Sequence, residues 1–273
     1  MATARFRFHE PLSAFLKREY RGQAFSYQCA RAASLKNAIE ALGVPHTEAG
    51  RLTVNGAPAT LQRTVREGDV VEIYPVEIES GSDPDLLFLA DAHLGGLARF
   101  LRMLGFDTLH DQALRDDAIR RLAAEEGRIV LSRDRELLKC RDIARGCYVR
   151  ALKPEAQLRE VAARFGLARR ARPFTLCLRC NLPLAPVDKA AVAARVPEKV
   201  LAMNEAFSRC AGCDRVYWPG SHYERMRAAL GVALSAYYCT RCDADEFRLA
   251  ECGAVHCAHC GALMRNLSVS PRT

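Results

Sequence analysis

Leu86-Leu87-Phe88-Leu89-Ala90-Asp91 and, further along, Arg128-Ile129-Val130-Leu131-Ser132-Arg133-Asp134 contain two short apolar runs that each lead to an aspartate. Runs of this length without polar alternation read as strands buried on both faces, the condition of a parallel sheet covered by helices. The chain between them fits. Leu94, Leu97, Leu101 and Leu104 recur at helical spacing, and a second helix is expected from Asp116, a good N-cap, to Glu126. With a further helix from Pro154 to Phe165, the order of elements is that of an α/β sheet. Functional side chains in such sheets gather at the carboxyl ends of the strands. Asp91 and Asp134 occupy those ends, and Asp116 and Asp117 open the helix between them.

Clustered carboxylates repel unless a cation compensates, and hard oxygen donors select Mg²⁺ or Mn²⁺ over softer metals. A divalent ion there would polarise a phosphoryl oxygen and activate water, which is phosphodiester chemistry. The plainer alternative is that Asp116 only caps a helix while Asp91 and Asp134 merely end strands. Arginines accompany the acids. Arg99 and Arg102 share one helix face, and Arg133 and Arg135 flank Asp134, so Arg99, Arg102 and Arg133 are candidates to grip a phosphate backbone. A solvated basic face is the alternative for any one of them.

Upstream, Arg5-Phe6-Arg7-Phe8 alternates as a half-buried strand, Ser34 can cap a helix carrying Leu35, Ala38, Ile39 and Leu42, and Gly43 stops it. Leu52-Thr53-Val54 before Asn55-Gly56, and Val70-Val71-Glu72-Ile73-Tyr74 after Gly68-Asp69, add strands to a small α+β unit that ends in the linker Gly81-Ser82-Asp83-Pro84-Asp85. The 273 residues are 49% hydrophobic and 26% charged, which excludes disordered, collagenous and coiled-coil classes. No apolar run reaches the roughly 18 residues of a membrane span. The N-terminus lacks a signal-peptide pattern, so a cytoplasmic location without membrane contact is expected. Lys and Arg number 40 against 32 Asp and Glu, a net charge of +8 that suits a polyanionic partner.

Twelve cysteines in such a chain point to metal rather than disulfides. Cys177-x-x-Cys180 and Cys210-x-x-Cys213 are two knuckles able to set four thiolates around Zn²⁺, a closed structural site. Cys239-x-x-Cys242 and Cys257-x-x-Cys260 have hairpin spacing for a second structural zinc, with Cys252, His256 and His259 near enough to compete. Cys29, Cys140 and Cys147 are isolated and read as buried small apolar residues. Arg179, Arg209, Arg215, Arg225 and Arg227 with Tyr217, Trp218 and Tyr223 could meet nucleic acid, although Trp218 is the better candidate for the ribbon's miniature core.

Residues Phe88 to Asp107, with Asp91-Ala92-His93-Leu94-Gly95-Gly96-Leu97-Ala98-Arg99-Phe100-Leu101-Arg102, then Asp116 and Gly127 to Arg135, closely resemble the Mut7-C family. The resemblance implies a three-layer PIN-like α/β fold and ribonuclease activity with Asp91, Asp116 and Asp134 as metal-binding acids. Asp117 matches a less fixed acidic position, and Glu136 is a further candidate for a fourth acid. Asn181, Val216-Tyr217-Trp218 and Gly220-Ser221-His222 resemble the family's zinc-ribbon tail. Residues 5–77 look like the ubiquitin-like β-grasp module fused upstream of it. Sulfur carriers of that fold end in Gly-Gly, whereas the matching end here is Tyr74-Pro75-Val76-Glu77, so a docking or structural role is expected instead.

The expected organisation is therefore a β-grasp domain (1–80), a PIN-like RNase domain (85–172), a four-cysteine zinc ribbon (173–230) and a second four-cysteine ribbon (235–267). The expected function is divalent-metal-dependent RNA hydrolysis, with RNA as partner and a possible protein partner through the β-grasp domain. The rival is a non-catalytic RNA- or ribonucleoprotein-binding adaptor stabilised by zinc.

Overall fold

The computed structural model describes residues 1–77, 86–167, 170–220, 237–238, 247–249, 255–257, 260–262 and 265–266. Its elements begin with β1 (Ala2–Phe8), β2 (Phe25–Cys29), α1 (Leu35–Ala41), β3 (Ala49–Val54), β4 (Ala57–Ala59) and β5 (Val70–Pro75). Then come β6 (Phe88–Ala90), α2 (Gly95–Met103), β7 (Thr108–Leu109), α3 (Asp116–Glu126), β8 (Ile129–Ser132), α4 (Arg135–Leu138), β9 (Gly146–Tyr148) and α5 (Pro154–Phe165). The rest comprises β10 (Leu184–Val187), α6 (Lys189–Val192), α7 (Glu198–Met203), β11 (Phe207–Cys210), β12 (Val216–Tyr217) and the short β13 (Tyr237–Tyr238), β14 (Phe247–Leu249), β15 (Val255–Cys257) and β16 (Arg265–Asn266). These elements fall into two compact units, Met1–Gly95 with His110–Arg150, and Gly96–Leu109 with Ala151–Thr273.

In the first unit, five strands form a sheet in the order β2-β1-β5-β3-β4, with β1 and β5 parallel and the other neighbours antiparallel. This is the β-grasp arrangement. The alternation in β1 puts Ala4, Phe6 and Phe8 inside and Arg5 and Arg7 outside. Helix α1 covers the sheet with Leu35, Ala38 and Ile39. It starts at a capping box, in which Ser34 Oγ accepts the Asn37 N–H at 3.2 Å and Asn37 Oδ1 accepts the Ser34 N–H at 3.3 Å. It ends before Gly43, whose φ of 97° few other residues adopt. The pattern reading did not anticipate β2 and β4. Both are edge strands, and β4 carries Pro58 where a missing N–H is tolerated.

Asp69 ties the turn before β5. Its buried carboxylate accepts from the Arg63 guanidinium at 2.6 and 3.0 Å, from the Arg66 N–H at 2.8 Å and from Asn55 Nδ2 at 3.2 Å. The hydrogen bonds from Arg63 outweigh burial and hold the Asp69 carboxyl below its ordinary range. A carboxylate with a lowered folded-state pKa contributes stability above its unfolded value, and that contribution is lost as pH falls through the folded value. Asp69→Asn is therefore expected to cost about 1.5–3 kcal/mol at neutral pH, the scale of hydrogen bonds to a charged group. Denaturant melts run at falling pH should show wild type and variant converging in acid.

The same unit holds a second sheet region. Strands β6, β8 and β9 lie side by side and parallel, with Ala90 opposite Leu131 and Leu131 opposite Cys147. Phe88, Leu89, Ala90, Val130 and Leu131 are fully buried, as the unbroken apolar runs require. The β-grasp strands and these parallel strands are not separate bodies. Glu48 Oε1 accepts the Tyr148 N–H of β9 at 2.7 Å, and His46 Nε2 lies 3.1 Å from the Ile143 carbonyl. A Cβ on Gly146 would meet Leu138 Cδ2 at 2.8 Å and Thr47 Oγ1 at 3.1 Å, so the backbone of β9 approaches Thr47 closely there. Arg135 and Arg150 both stack over Phe15 and Tyr148. The compact unit thus crosses the linker expected at 81–85, which lies outside the described residues.

In the second unit α5 starts with Pro at its first turn and ends at Gly166, whose φ is 60°. Beyond it β10, β11 and β12 form an antiparallel sheet backed by a small core of Val192, Val196 and Phe207. No helix among the described residues is long and apolar enough to cross a membrane.

Candidate functional site

The parallel pairing of β6 with β8 sets Asp91 beside Ser132. The Asp91 N–H continues the ladder to the Leu131 carbonyl at 3.0 Å, and the side chain then emerges at the strand's carboxyl end. Asp91 Oδ2 accepts the Ser132 hydroxyl at 2.8 Å, and Oδ1 accepts the Ala92 N–H at 2.6 Å. Ser132 is fully buried, and its Oγ also accepts the Asp134 N–H at 2.9 Å. One hydroxyl therefore locks the turns that carry both aspartates. Asp134 uses Oδ1 to cap α4 through the Glu136 N–H at 2.7 Å, which leaves the carboxylate exposed and its position fixed.

Asp116 departs from the helix-capping expectation. The N-cap of α3 is Arg115, without a side-chain cap, and Asp116 is the first helical residue, exposed and with no side-chain hydrogen bond or ion pair among the described residues. A preceding extended residue, rather than the acid, turns the chain into the helix. Asp116 and Asp134 both act on Cys140. Burial raises the Cys140 thiol, Arg120 opposes this, and the Asp116, Asp142 and Asp134 carboxylates raise it further. Cys140 is half-buried beside these acids, unlike Cys29 and Cys147, which are buried as expected.

The reserve acids are engaged elsewhere. Asp117 is exposed and lies 3.8 Å from Arg115 Nε, and Glu136 Oε1 accepts Lys139 Nζ at 2.7 Å. No three carboxylates among the described residues bring oxygens within 4.8 Å of one another, because the one group that tight is made of cysteines. A divalent ion at this edge would keep much of its water, as ions held by few protein ligands do. Sequence reasoning missed Ser132, Cys140 and Asp142. Only the strand register reveals the first, and the return of the chain after α4 the others.

The tight group is Cys177, Cys180, Cys210 and Cys213, whose sulfurs all lie within 4.8 Å of one another. Two copies of one turn build it. In the first, the Cys177 carbonyl accepts the Asn181 N–H at 2.9 Å; in the second, the Cys210 carbonyl accepts the Asp214 N–H at 2.8 Å. Asn181 and Asp214 both take positive φ, 61° and 59°, a conformation that Asn and Asp tolerate. Burial would raise the Cys177 thiol, yet hydrogen bonds from the Tyr217 hydroxyl and the knuckle N–H groups bring it to about 6. Its neighbour Cys180 is pushed up to about 12 by hydrogen bonding with Cys213, by burial and by the nearby Cys177. Four convergent sulfurs, one already favouring the thiolate, are a donor set for a soft or borderline cation.

Arg102, expected among the phosphate-gripping residues, does something else. It is 7% exposed, with Nε donating to the Thr108 carbonyl at 2.9 Å and Nη1 to the Leu178 and Arg179 carbonyls at 3.1 and 3.0 Å. Beside it Asn181 accepts the Thr108 N–H at 3.0 Å and donates to Asp107 Oδ1 at 2.6 Å. Arg102 thus fastens the first knuckle to α2 and β7, and a phosphate would have to displace three backbone partners. Arg99 and Arg133 are exposed.

A family model described as the Mut7-C RNAse domain matches residues 87–230. The chain belongs to the Mut7-C RNAse domain family. A second model, Mut7-C ubiquitin, matches residues 1–80 of this Mut7-C chain, in the order expected. No curated protein and no solved structure matches it. Membership makes a ribonuclease-like function the reading for residues 87–230, and places the four-cysteine cluster and all three strand-edge and helix-start aspartates inside the matched span. The second cysteine quartet lies beyond it. Cys239, Cys242, Cys252 and the side chain of Cys257 are outside the described residues; Cys260 is half-buried, and β13 pairs with β16 and β14 with β15.

Proposed function

We propose that this protein is a divalent-metal-dependent ribonuclease whose acidic site is Asp91 and Asp134, with Asp116 as the third acid and Asp117 in reserve. The observation that carries the reading is the Ser132 hydroxyl, which donates to Asp91 and accepts from the Asp134 backbone at neighbouring strand ends. Two carboxylates held that way retain unused lone pairs, since each ionised carboxylate offers about four acceptor sites. That fits Mg²⁺ or Mn²⁺, which when bound would supply Lewis-acid polarisation of a phosphoryl oxygen and a more acidic water. The chain's own contribution is orientation. Ser132 fixes the two turns, the Asp134 cap on α4 sets that carboxylate's direction, and exposed Arg133 is available to a phosphate oxygen.

The four sulfurs of Cys177, Cys180, Cys210 and Cys213 would hold Zn²⁺ as a closed structural site, since no coordination position is left for water. A second zinc at Cys239, Cys242, Cys257 and Cys260 is proposed on spacing alone. RNA in the cytoplasm is the proposed substrate, and the segments 1–80, 85–172, 173–230 and 235–267 are the proposed domains. The β-grasp segment, with Glu48 engaged at β9 and His46 at the Ile143 carbonyl before it, serves as a brace for the parallel strands.

The decisive experiment is a cleavage assay on a labelled structured RNA with the metal varied. Cleavage is expected with Mn²⁺ or Mg²⁺ and none with Ca²⁺ or after removal of free divalent ions, with zinc left in place. Metal-independent cleavage, or tight RNA binding without cleavage at any metal, would leave the adaptor reading.

A further inference from the structure

We propose that a groove in the second unit is a binding site for single-stranded RNA, in which bases stack on an aromatic floor and phosphates meet four cations that make no ion pair among the described residues. The inference rests on the reading of RNA as the substrate class, and it concerns residues other than the acids. The groove has a volume of about 1090 Å³. Drug-sized ligands occupy roughly 300–1,000 Å³, so it has room for more than one nucleotide. Phe174, Met203, Tyr217 and Trp218 form its apolar part, and Arg99, Arg179, Lys199 and Arg215 its charged part. No acidic residue is among the described residues that line it.

The cations separate into two sets. Arg195 and Arg209 of the same unit pair with Asp214 at 2.7 and 3.4 Å, and Arg102 is engaged by backbone carbonyls. Arg99, Arg179, Lys199 and Arg215, by contrast, make no ion pair among the described residues, and all four are exposed. Every cation that lines the groove is thus without an ion pair among the described residues. On α7, Lys199 and Met203 are four residues apart and so share a face, which sets a cation beside an apolar side chain that is 73% exposed.

Trp218 of the aromatic floor is held from behind. Trp218 packs on Phe207 with ring centroids 6.5 Å apart, and its carbonyl accepts the Gly220 N–H at 2.9 Å. A Cβ on Gly220 would come within 2.7 Å of the indole nitrogen, so the backbone there closes on the ring edge. Trp218 is thus half-buried against the miniature core and lines the groove as well. Interleaved cations and aromatic faces are what a single strand needs, because stacking on a ring contributes about 1–3 kcal/mol per base whatever its identity. An acidic peptide would use the cations and leave the rings without a function, which is why nucleic acid is favoured.

Trp218 is the only tryptophan, so its emission reports on the groove directly. The full chain, zinc-loaded and without Mg²⁺ or Mn²⁺, would be titrated with an oligouridylate of about eight nucleotides, within the usual range for one single-strand platform. Saturable quenching is expected, and Lys199→Glu with Arg215→Glu should weaken it at least tenfold. The slope of log affinity against log salt should fall by about 0.7 for each phosphate that is no longer neutralised. Absence of quenching, quenching unchanged by the charge reversals, or equal competition by polyglutamate would overturn the proposal. Asp134→Asn should still quench. If it does not, the RNA is held at the acids and the groove proposal fails. Quenching by a protein that never cleaves would support the groove while removing the nuclease reading.

Discussion

Asp91→Asn and Asp134→Asn should each lower the rate of RNA cleavage by about 10²–10³-fold, the scale on which one preorganised group stabilising transition-state charge acts. The amide that replaces Asp91 keeps the shape of the side chain but has one acceptor oxygen where the carboxylate uses two, so it retains either the Ala92 cap or the Ser132 bridge as acceptor, while the ladder through the Asp91 N–H is untouched. What is lost is the negative charge that would hold a hard cation. The effect should therefore be deepest at low Mn²⁺ and partly relieved as the ion is raised, whereas a folding defect would not respond to metal. Near-ultraviolet dichroism checks the fold, and single-turnover cleavage against metal concentration reads the effect. Asp116→Asn is expected to fall in the same direction by less, because Asp116 is exposed on α3 and its side chain makes no hydrogen bond among the described residues. Full activity in Asp91→Asn or Asp134→Asn would remove these acids from the site and the proposed chemistry with them.

The legibility of this site in the chain was uneven for physical reasons. The strands stand out because burial on both faces demands unbroken apolar runs, and the expected helix bounds Asp116–Glu126 and Pro154–Phe165 coincide with α3 and α5 because Gly127 and Gly166 end them. Asp91 and Asp134 could be placed at strand ends from the same pattern. The side-chain logic between them could not, since Ser132 joins the two only through a parallel register that no local spacing encodes. Arg102 shows the opposite failure. Its helical spacing from Arg99 puts both on one face of an isolated helix, but the carbonyls that occupy it come from Leu178 and Arg179, far along the chain. Edge strands such as β4, with few buried positions, leave little hydrophobic signal at all.

The cysteine knuckles were plain in the sequence, and they carry the largest expected effect on stability. Cys210→Ser should release one metal equivalent and unfold the segment around β10, β11 and β12. The reason lies in the size of the core beneath that sheet, where among the described residues Val192, Val196 and Phe207 form the buried cluster. Side chains of this kind contribute about 1.5–3 kcal/mol each when fully buried. Zinc bound to four thiolates supplies apparent free energies of about 10–16 kcal/mol in small zinc domains, more than that cluster contributes. Serine offers no thiolate, and Cys210 is fully buried, so neither water nor a shifted side chain can complete the shell. Limited proteolysis should then cut within residues 184–217 of the variant, while the sheet containing β1 and β5, with its own core around Phe6, Leu35, Ile39 and Ile73, stays protected. Chelation of the wild type should reproduce the same cuts, reversed by zinc. Protection of this segment in the metal-free variant would mean that it folds on apolar packing alone and that the four sulfurs have another use.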